Sequence, residues 1–306
     1  MRLFAAKTKG YLFALVATIA FSNVYIFSKA ALNEVSMAQF WFYWFATGLT
    51  LNTLLCWING SFNLLKKRKL QELRNFIILG ILEIVTTLSF FFAIKTIPDP
   101  SVTSFIGNMY VVFLVTFGIL LLKERFTLIE STGVLITIIG VFAVGFKGGR
   151  TLREMFIPGA GLVLINTFLA ALTSIVAKKT IDRFNPMLVN FNRTLFLFLF
   201  AVGFMLLEGK TLSIPATALK NILIGSFLGP FLGILTIYFS YKYIEVSRSS
   251  VVQGLKGLFV LIGSFIYFGT LPGKLQMIGG ILSVCGVLIM TLSKARLEIR
   301  RQNQKS

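Results

Sequence analysis

Three ionisable side chains stand inside long apolar runs of this 306-residue chain: Glu83, Arg193 and Lys256. A charge near a bilayer centre costs about 2.5–3.5 kcal/mol even on mild insertion scales, so each requires a partner or a wet cavity. Each lies some seven to nine residues into its run, which at a helical rise of about 1.5 Å puts all three roughly 10–13 Å below one boundary. Equal depth is what a shared central cavity demands. Two cations against one carboxylate favour a solute that carries a carboxylate or phosphate group. Glu83 is the proton-coupling candidate; it could also receive a solute amine or hold Lys256 while the site is empty. A static ion pair of Glu83 with Lys256 or Arg193, serving helix packing alone, is the competing reading. Lys256 sits in Gln253-Gly254-Leu255-Lys256-Gly257, where small neighbours leave room around the ammonium. Gln253, Asn108 and Tyr110 complete the candidate substrate-binding set. Further amides and rings that could line a cavity are Asn23, Asn166, Asn190, Asn192, Trp41, Tyr43 and Trp44, although the three Trp41–Trp44 rings also suit an aromatic belt at the outer leaflet.

The elements that must hold these groups are ten apolar stretches, near 10–30, 37–57, 75–96, 101–122, 127–146, 158–177, 187–207, 221–243, 248–268 and 274–293. Each approaches the roughly 20 residues that cross a bilayer as a helix. Pro98, Pro100, Gly148-Gly149, Pro158, Asn185-Pro186, Glu208-Gly209 and Pro272-Gly273 separate them. The eighth stretch carries Gly225, Gly229 and Gly233 with Pro230 among them. Small residues at that spacing let helices approach closely, and the proline frees a carbonyl and permits a bend. These four are hinge or packing candidates. The first run, after Arg2, Lys7 and Lys9, is read as a helix and not as a cleaved leader, being too long and without a small-residue cleavage site.

Hydrophobic residues make up 56% of the chain and charged residues 13%, with a mean hydropathy of +0.83. A soluble domain carries about 25% charged residues, so the chain is expected to be an integral membrane protein of all-α class. The net charge of +19 falls between the apolar runs. There it sets orientation and meets anionic lipid, as in the tract 64–69, and it does not indicate nucleic acid. Of the 30 Lys and Arg residues, 20 fall on the side that holds both termini, which the positive-inside rule makes cytoplasmic. Cys56 and Cys285, both within apolar runs, imply neither a disulfide framework nor a metal cluster. The absence of histidine removes the commonest general base and metal ligand, and with it most enzyme readings. No cofactor is expected.

The second half repeats the first. Ala93-Ile94-Lys95-Thr96-Ile97 is matched by Ser240-Tyr241-Lys242-Tyr243-Ile244, and Gly107 by Gly254, both 147 positions on. Gly133 and Gly140 are matched by Gly279 and Gly286, and Glu83 aligns with Gly229 or Pro230. Units of 1–146 and 147–293 follow, with a basic cytoplasmic tail at 294–306. Five crossings per copy invert the second copy relative to the first, the arrangement of secondary transporters whose site lies between repeats.

The run Phe92-Ala93-Ile94-Lys95-Thr96-Ile97, the helix ending Leu120-Leu121-Leu122-Lys123-Glu124-Arg125, and Gly133 with Gly140 together resemble the EamA-type drug/metabolite transporter superfamily. The Glu124 junction looks like that family's glycine-glutamate turn, with Lys123 in place of glycine. The resemblance implies ten helices in two repeats and transport of a small metabolite, such as an amino acid or related amphipathic solute, by alternating access. Export from a bacterial cytoplasmic (inner) membrane, proton-coupled through Glu83, is the leading expectation. An antiporter of phosphorylated or nucleotide-linked metabolites is the alternative. The expected partners are the small-molecule substrate, membrane lipids and, as a homodimer, a second copy of the chain.

Overall fold

The structure is a computed structural model that describes residues 2–64, 70–122, 128–146 and 156–303. The Glu124 junction, the tract from Leu65 to Lys69, Gly148-Gly149 and the cations Lys147, Arg150 and Arg153 lie outside the described residues. The first copy contains α1 (Arg2–Leu32), α2 (Met37–Ile58), α3 (Leu70–Thr96), α4 (Pro100–Ile106), α5 (Met109–Leu122) and α6 (Leu128–Gly145). The second contains α7 (Ala160–Ile181), α8 (Pro186–Glu208), α9 (Ala216–Ser226), a π-helical segment (Phe227–Gly233), α10 (Ile234–Tyr243), α11 (Val246–Gln253), α12 (Lys256–Phe268) and α13 (Lys274–Asn303). The only β pairing among the described residues is an isolated bridge between Phe146 and Phe156.

Local sequence sets the ends. Ser36 and Gln39 form a reciprocal capping box at the start of α2. Asp99 and Asn185 cap α4 and α8, each followed by a proline in the first turn, where its missing N–H goes unused. Gly209 ends α8 with φ 58°, a left-handed cap that costs a glycine little. Lys29, near the end of α1, is buried and donates from Nζ to the carbonyls of Ile94 (3.0 Å), Lys95 (3.1 Å) and Ile97 (2.9 Å). Those carbonyls belong to the frayed end of α3, where a cation satisfies them and complements the helix dipole.

Two expected single helices are broken. The stretch at 101–122 divides into α4 and α5 at Gly107-Asn108, and that at 248–268 divides into α11 and α12 at Gly254-Leu255. Gly107 and Gly254 are repeat partners, so both copies break at the same place. The eighth stretch is interrupted instead by the π segment around Pro230. A proline cannot donate to the ladder, and the freed carbonyls need other donors.

Helix pairing follows the repeat. The helix α9–π–α10 lies on α1 as α3 lies on α7, and α2 pairs with α8. Between α6 and α13 the contact is backbone on backbone. A Cβ on Gly140 would meet the Ser283 nitrogen at 2.5 Å and the Gly279 carbonyl at 2.6 Å, and one on Gly286 would meet the Gly133 carbonyl at 2.6 Å. Gly133 therefore faces Gly286 while Gly140 faces Gly279, an antiparallel crossing that maps onto itself when the copies are exchanged. Outward, large apolar side chains are bare, with Leu128 and Leu207 both 87% exposed. Among the described residues six helices are long and apolar enough to cross a membrane, and Ser131–Gly145, Lys256–Phe268 and Lys274–Ile289 are shorter apolar helices. So much bare apolar surface belongs in lipid; the chain is an integral membrane protein.

Candidate functional site

α3, α8 and α10 bring three polar side chains together. Arg193 Nε donates to Glu83 Oε2 at 2.8 Å, and the Tyr238 hydroxyl donates to Glu83 Oε1 at 3.0 Å. Arg193 Nη2 reaches Thr87 Oγ1 at 3.4 Å. Beside this cluster a second one forms from α5, α7 and α10, where the Tyr110 hydroxyl lies 2.9 Å from Ser174 Oγ and 3.2 Å from the Tyr241 hydroxyl. The rings of Tyr238 and Tyr241, 6.3 Å apart, join the two clusters along one face of α10.

Both clusters wall a cavity of about 200 Å³ between the copies, and Gln253 and Lys256 line it too. At about 30 Å³ per water that is the room of some seven waters. Lys256 opens α12 just past the break, with Nζ 5.3 Å from the centre of the Tyr25 ring. A cation over an aromatic face is attracted by the ring quadrupole, but this neutralises nothing. No carboxylate pairs with Lys256 among the described residues. Arg193 and Gln253 are each 8% exposed, and each keeps one nitrogen, Nη1 and Nε2, without a hydrogen-bond partner. Buried donors are almost always satisfied, so these two leave donor capacity unused in the wall of one cavity.

Five of the expected substrate-binding residues, Glu83, Arg193, Lys256, Gln253 and Tyr110, thus meet in one cavity. Asn108 does not. Its Nδ2 donates to Ser283 Oγ at 2.8 Å, which ties the helix break to α13. Asn166 lines the cavity and donates to the Thr86 carbonyl at 2.8 Å, whereas Asn23 bonds the Ile19 carbonyl of its own helix at 2.9 Å. Asn192 donates to the Phe76 carbonyl at 3.0 Å. The aromatic-belt reading fails for Trp41 and Trp44, both 1% exposed and within the core. Tyr43 bonds the Leu212 carbonyl at 2.5 Å.

Gly225 and Gly229 receive the Trp44 ring, and Gly233 receives Phe21. These glycines therefore let α1 and α2 close on the π segment. The bend itself is held by amides: Asn52 and Asn190 both donate to the Pro230 carbonyl, at 3.1 and 3.0 Å, and bond each other at 2.8 Å. Asn190, expected in the cavity wall, serves this clip instead.

Sequence reasoning missed Tyr25, Tyr238 and Tyr241. The spacing of Tyr238 and Tyr241 by three was the available signal, since it puts two hydroxyls on one face of an apolar helix.

The membrane-embedded helical fold in two copies around one cavity is that of a membrane transporter of the drug/metabolite kind. The chain belongs to the EamA-like transporter family, whose model matches residues 8–146 and 157–292, one copy each. That family comprises transporters, not enzymes. A solved crystal structure, described only as that of a protein, is similar to it with a TM-score of 0.72 over 95% of this chain and 99% of its own. The sequence identity is 16%, so this likeness establishes the fold alone. No curated protein matches the chain in sequence.

Proposed function

We propose that the chain is a secondary transporter that moves a small amphipathic metabolite bearing a carboxylate or phosphate group outward by alternating access. The reading includes ten crossings in two inverted repeats, both termini cytoplasmic, in a bacterial cytoplasmic membrane. The observation that carries it is a cavity lined by two cations and one carboxylate, with orphan donors on Arg193 and Gln253. An entering anion can bind Lys256 and compete with Glu83 for Arg193. Glu83, once released, is free to take a proton, which returns when the Glu83–Arg193 pair re-forms. The solute anion on Arg193 and the proton on Glu83 are then bound together, which supports movement of both in the same direction. The π segment, with its clipped carbonyls, supplies a bend beside the cavity about which α9 and α10 can move.

The exchanger of nucleotide-linked metabolites shares the positive surplus. A cavity of about 200 Å³, below the roughly 300–1,000 Å³ of drug-sized sites, weighs against so large a cargo. The test is flux into proteoliposomes with the Lys256→Gln variant. Uptake of anionic solutes should fall about tenfold or more with neutral solutes unaffected. Equal loss for both kinds of solute would refute charge recognition.

A further inference from the structure

Resting on the transport reading, we infer that the solute is a monoanion with an apolar, preferably aromatic, body and no ammonium group: an arylalkyl or branched aliphatic monocarboxylate, not an amino acid.

Charge comes first. Among the described residues, Glu83, Arg193 and Lys256 are the Asp, Glu, Lys or Arg residues in the cavity wall, which leaves a surplus of one positive charge. A monoanion entering while Glu83 is ionised cancels it. A doubly charged phosphate ester would reverse it, and a buried uncompensated charge of either sign is costly.

The acceptors come next. An amino acid brings an ammonium that needs acceptors of its own. Glu83, the sole carboxylate of the wall, already receives Arg193 on Oε2 and Tyr238 on Oε1. The Pro230 carbonyl is taken by Asn52 and Asn190, and the Thr86 carbonyl by Asn166 and Ser89. A solute ammonium would enter beside two like charges, with the one carboxylate of the described wall already holding a guanidinium and a hydroxyl. Donors stand ready for an anion: Arg193 Nη1, Gln253 Nε2 and the Lys256 ammonium. Donors and a positive surplus recognise a carboxylate.

The remaining wall describes the rest of the molecule. Phe21, Tyr25, Trp44, Phe45, Phe90 and Phe91 all face the cavity, and Tyr25 meets Phe90 edge-to-face at 5.0 Å. Such a lining favours a flat apolar body and offers little to a polyhydroxylated one. The volume of about 200 Å³ suits one ring and a short arm.

The test compares four solutes of one shape on the purified full-length protein: phenylacetate, phenylalanine, phenethylamine and 2-phenylethanol. Binding is read by thermal shift in detergent, and exchange by counterflow in proteoliposomes at alkaline pH against protein-free liposomes. Phenylacetate should raise the unfolding midpoint and exchange, with phenylalanine at least about tenfold weaker and phenethylamine inert. In Lys256→Gln the phenylacetate affinity should fall about tenfold while that for 2-phenylethanol stays. Gln253→Ala, which removes the Nε2 donor, gives the same direction should Lys256→Gln fail to fold. Phenylalanine binding as well as phenylacetate, or a phosphate ester binding better, would overturn this assignment and leave the transport reading standing. Failure of every solute class to bind or exchange would sink both.

Discussion

Glu83 and Arg193 hold each other in place, and their pairing decides what either can do next. Taking one partner from a buried ion pair strands the other, a loss of about 3–5 kcal/mol, whereas removing both together is far milder. Glu83→Gln and Arg193→Gln should therefore each lower the thermal midpoint in detergent, and the double variant should regain much of the loss. Additive losses would mean that the two side chains are not coupled. The pairing also sharpens what flux should report. If solute entry must open this pair before Glu83 can take a proton, Glu83→Gln should abolish the dependence of flux on a pH gradient. Lys256 is different in kind, for its ammonium lies against the Tyr25 ring and has no carboxylate partner among the described residues. It is the residue with a charge to offer.

At the scale of elements, close backbone contact and helix breaks matter more than side-chain size. The crossing of α6 and α13 tolerates no Cβ at Gly140 or Gly286, while Gly203, in the middle of α8, has nothing within 4 Å of where its Cβ would be. Gly140→Ala and Gly286→Ala should each destabilise the protein by about 1–3 kcal/mol through overpacking. Gly203→Ala should stabilise it by about 0.5–1 kcal/mol through helix propensity. Thermal unfolding of the three variants checks the contrast, and equal effects would contradict the crossing. Element positions were legible in the sequence because a long apolar run bounded by Pro or Gly has few other readings. The internal breaks were not. Nothing in composition changes at Gly107-Asn108 or Gly254-Leu255, and the repeat match of Gly107 with Gly254 told of kinship without telling of a break. The π segment was half legible, since Pro230 announced a fault in the ladder while the partners of its carbonyl, Asn52 and Asn190, lie on other helices.

For the whole molecule, the two copies close around one cavity, and the faces turned to lipid are as apolar as the faces turned inward. That equality explains the Trp41 and Trp44 misreading: in a membrane, hydrophobicity no longer says which side of a helix is buried. Polar residues keep their meaning, so Glu83, Arg193 and Lys256 pointed to the cavity, while of the three rings offered for either the wall or the belt Trp44 lies in the wall. Lys29 shows the limit of that rule, being a buried cation used for a helix end. Charge asymmetry between loops carried the expected orientation, and on the proposed transport reading the repeat that pairs α1 with α10 and α3 with α7 lets the cavity open to one face and then to the other. The most direct measurement uses Ser174→Cys in a background where Cys56 and Cys285 are alanine. Ser174 stands in the cavity wall between Tyr110 and Tyr241. An anionic, membrane-impermeant methanethiosulfonate should label it from either side of sealed vesicles, and a bound solute should slow the labelling from both. Labelling from neither side, or labelling that no solute slows, would contradict a solute site between the copies.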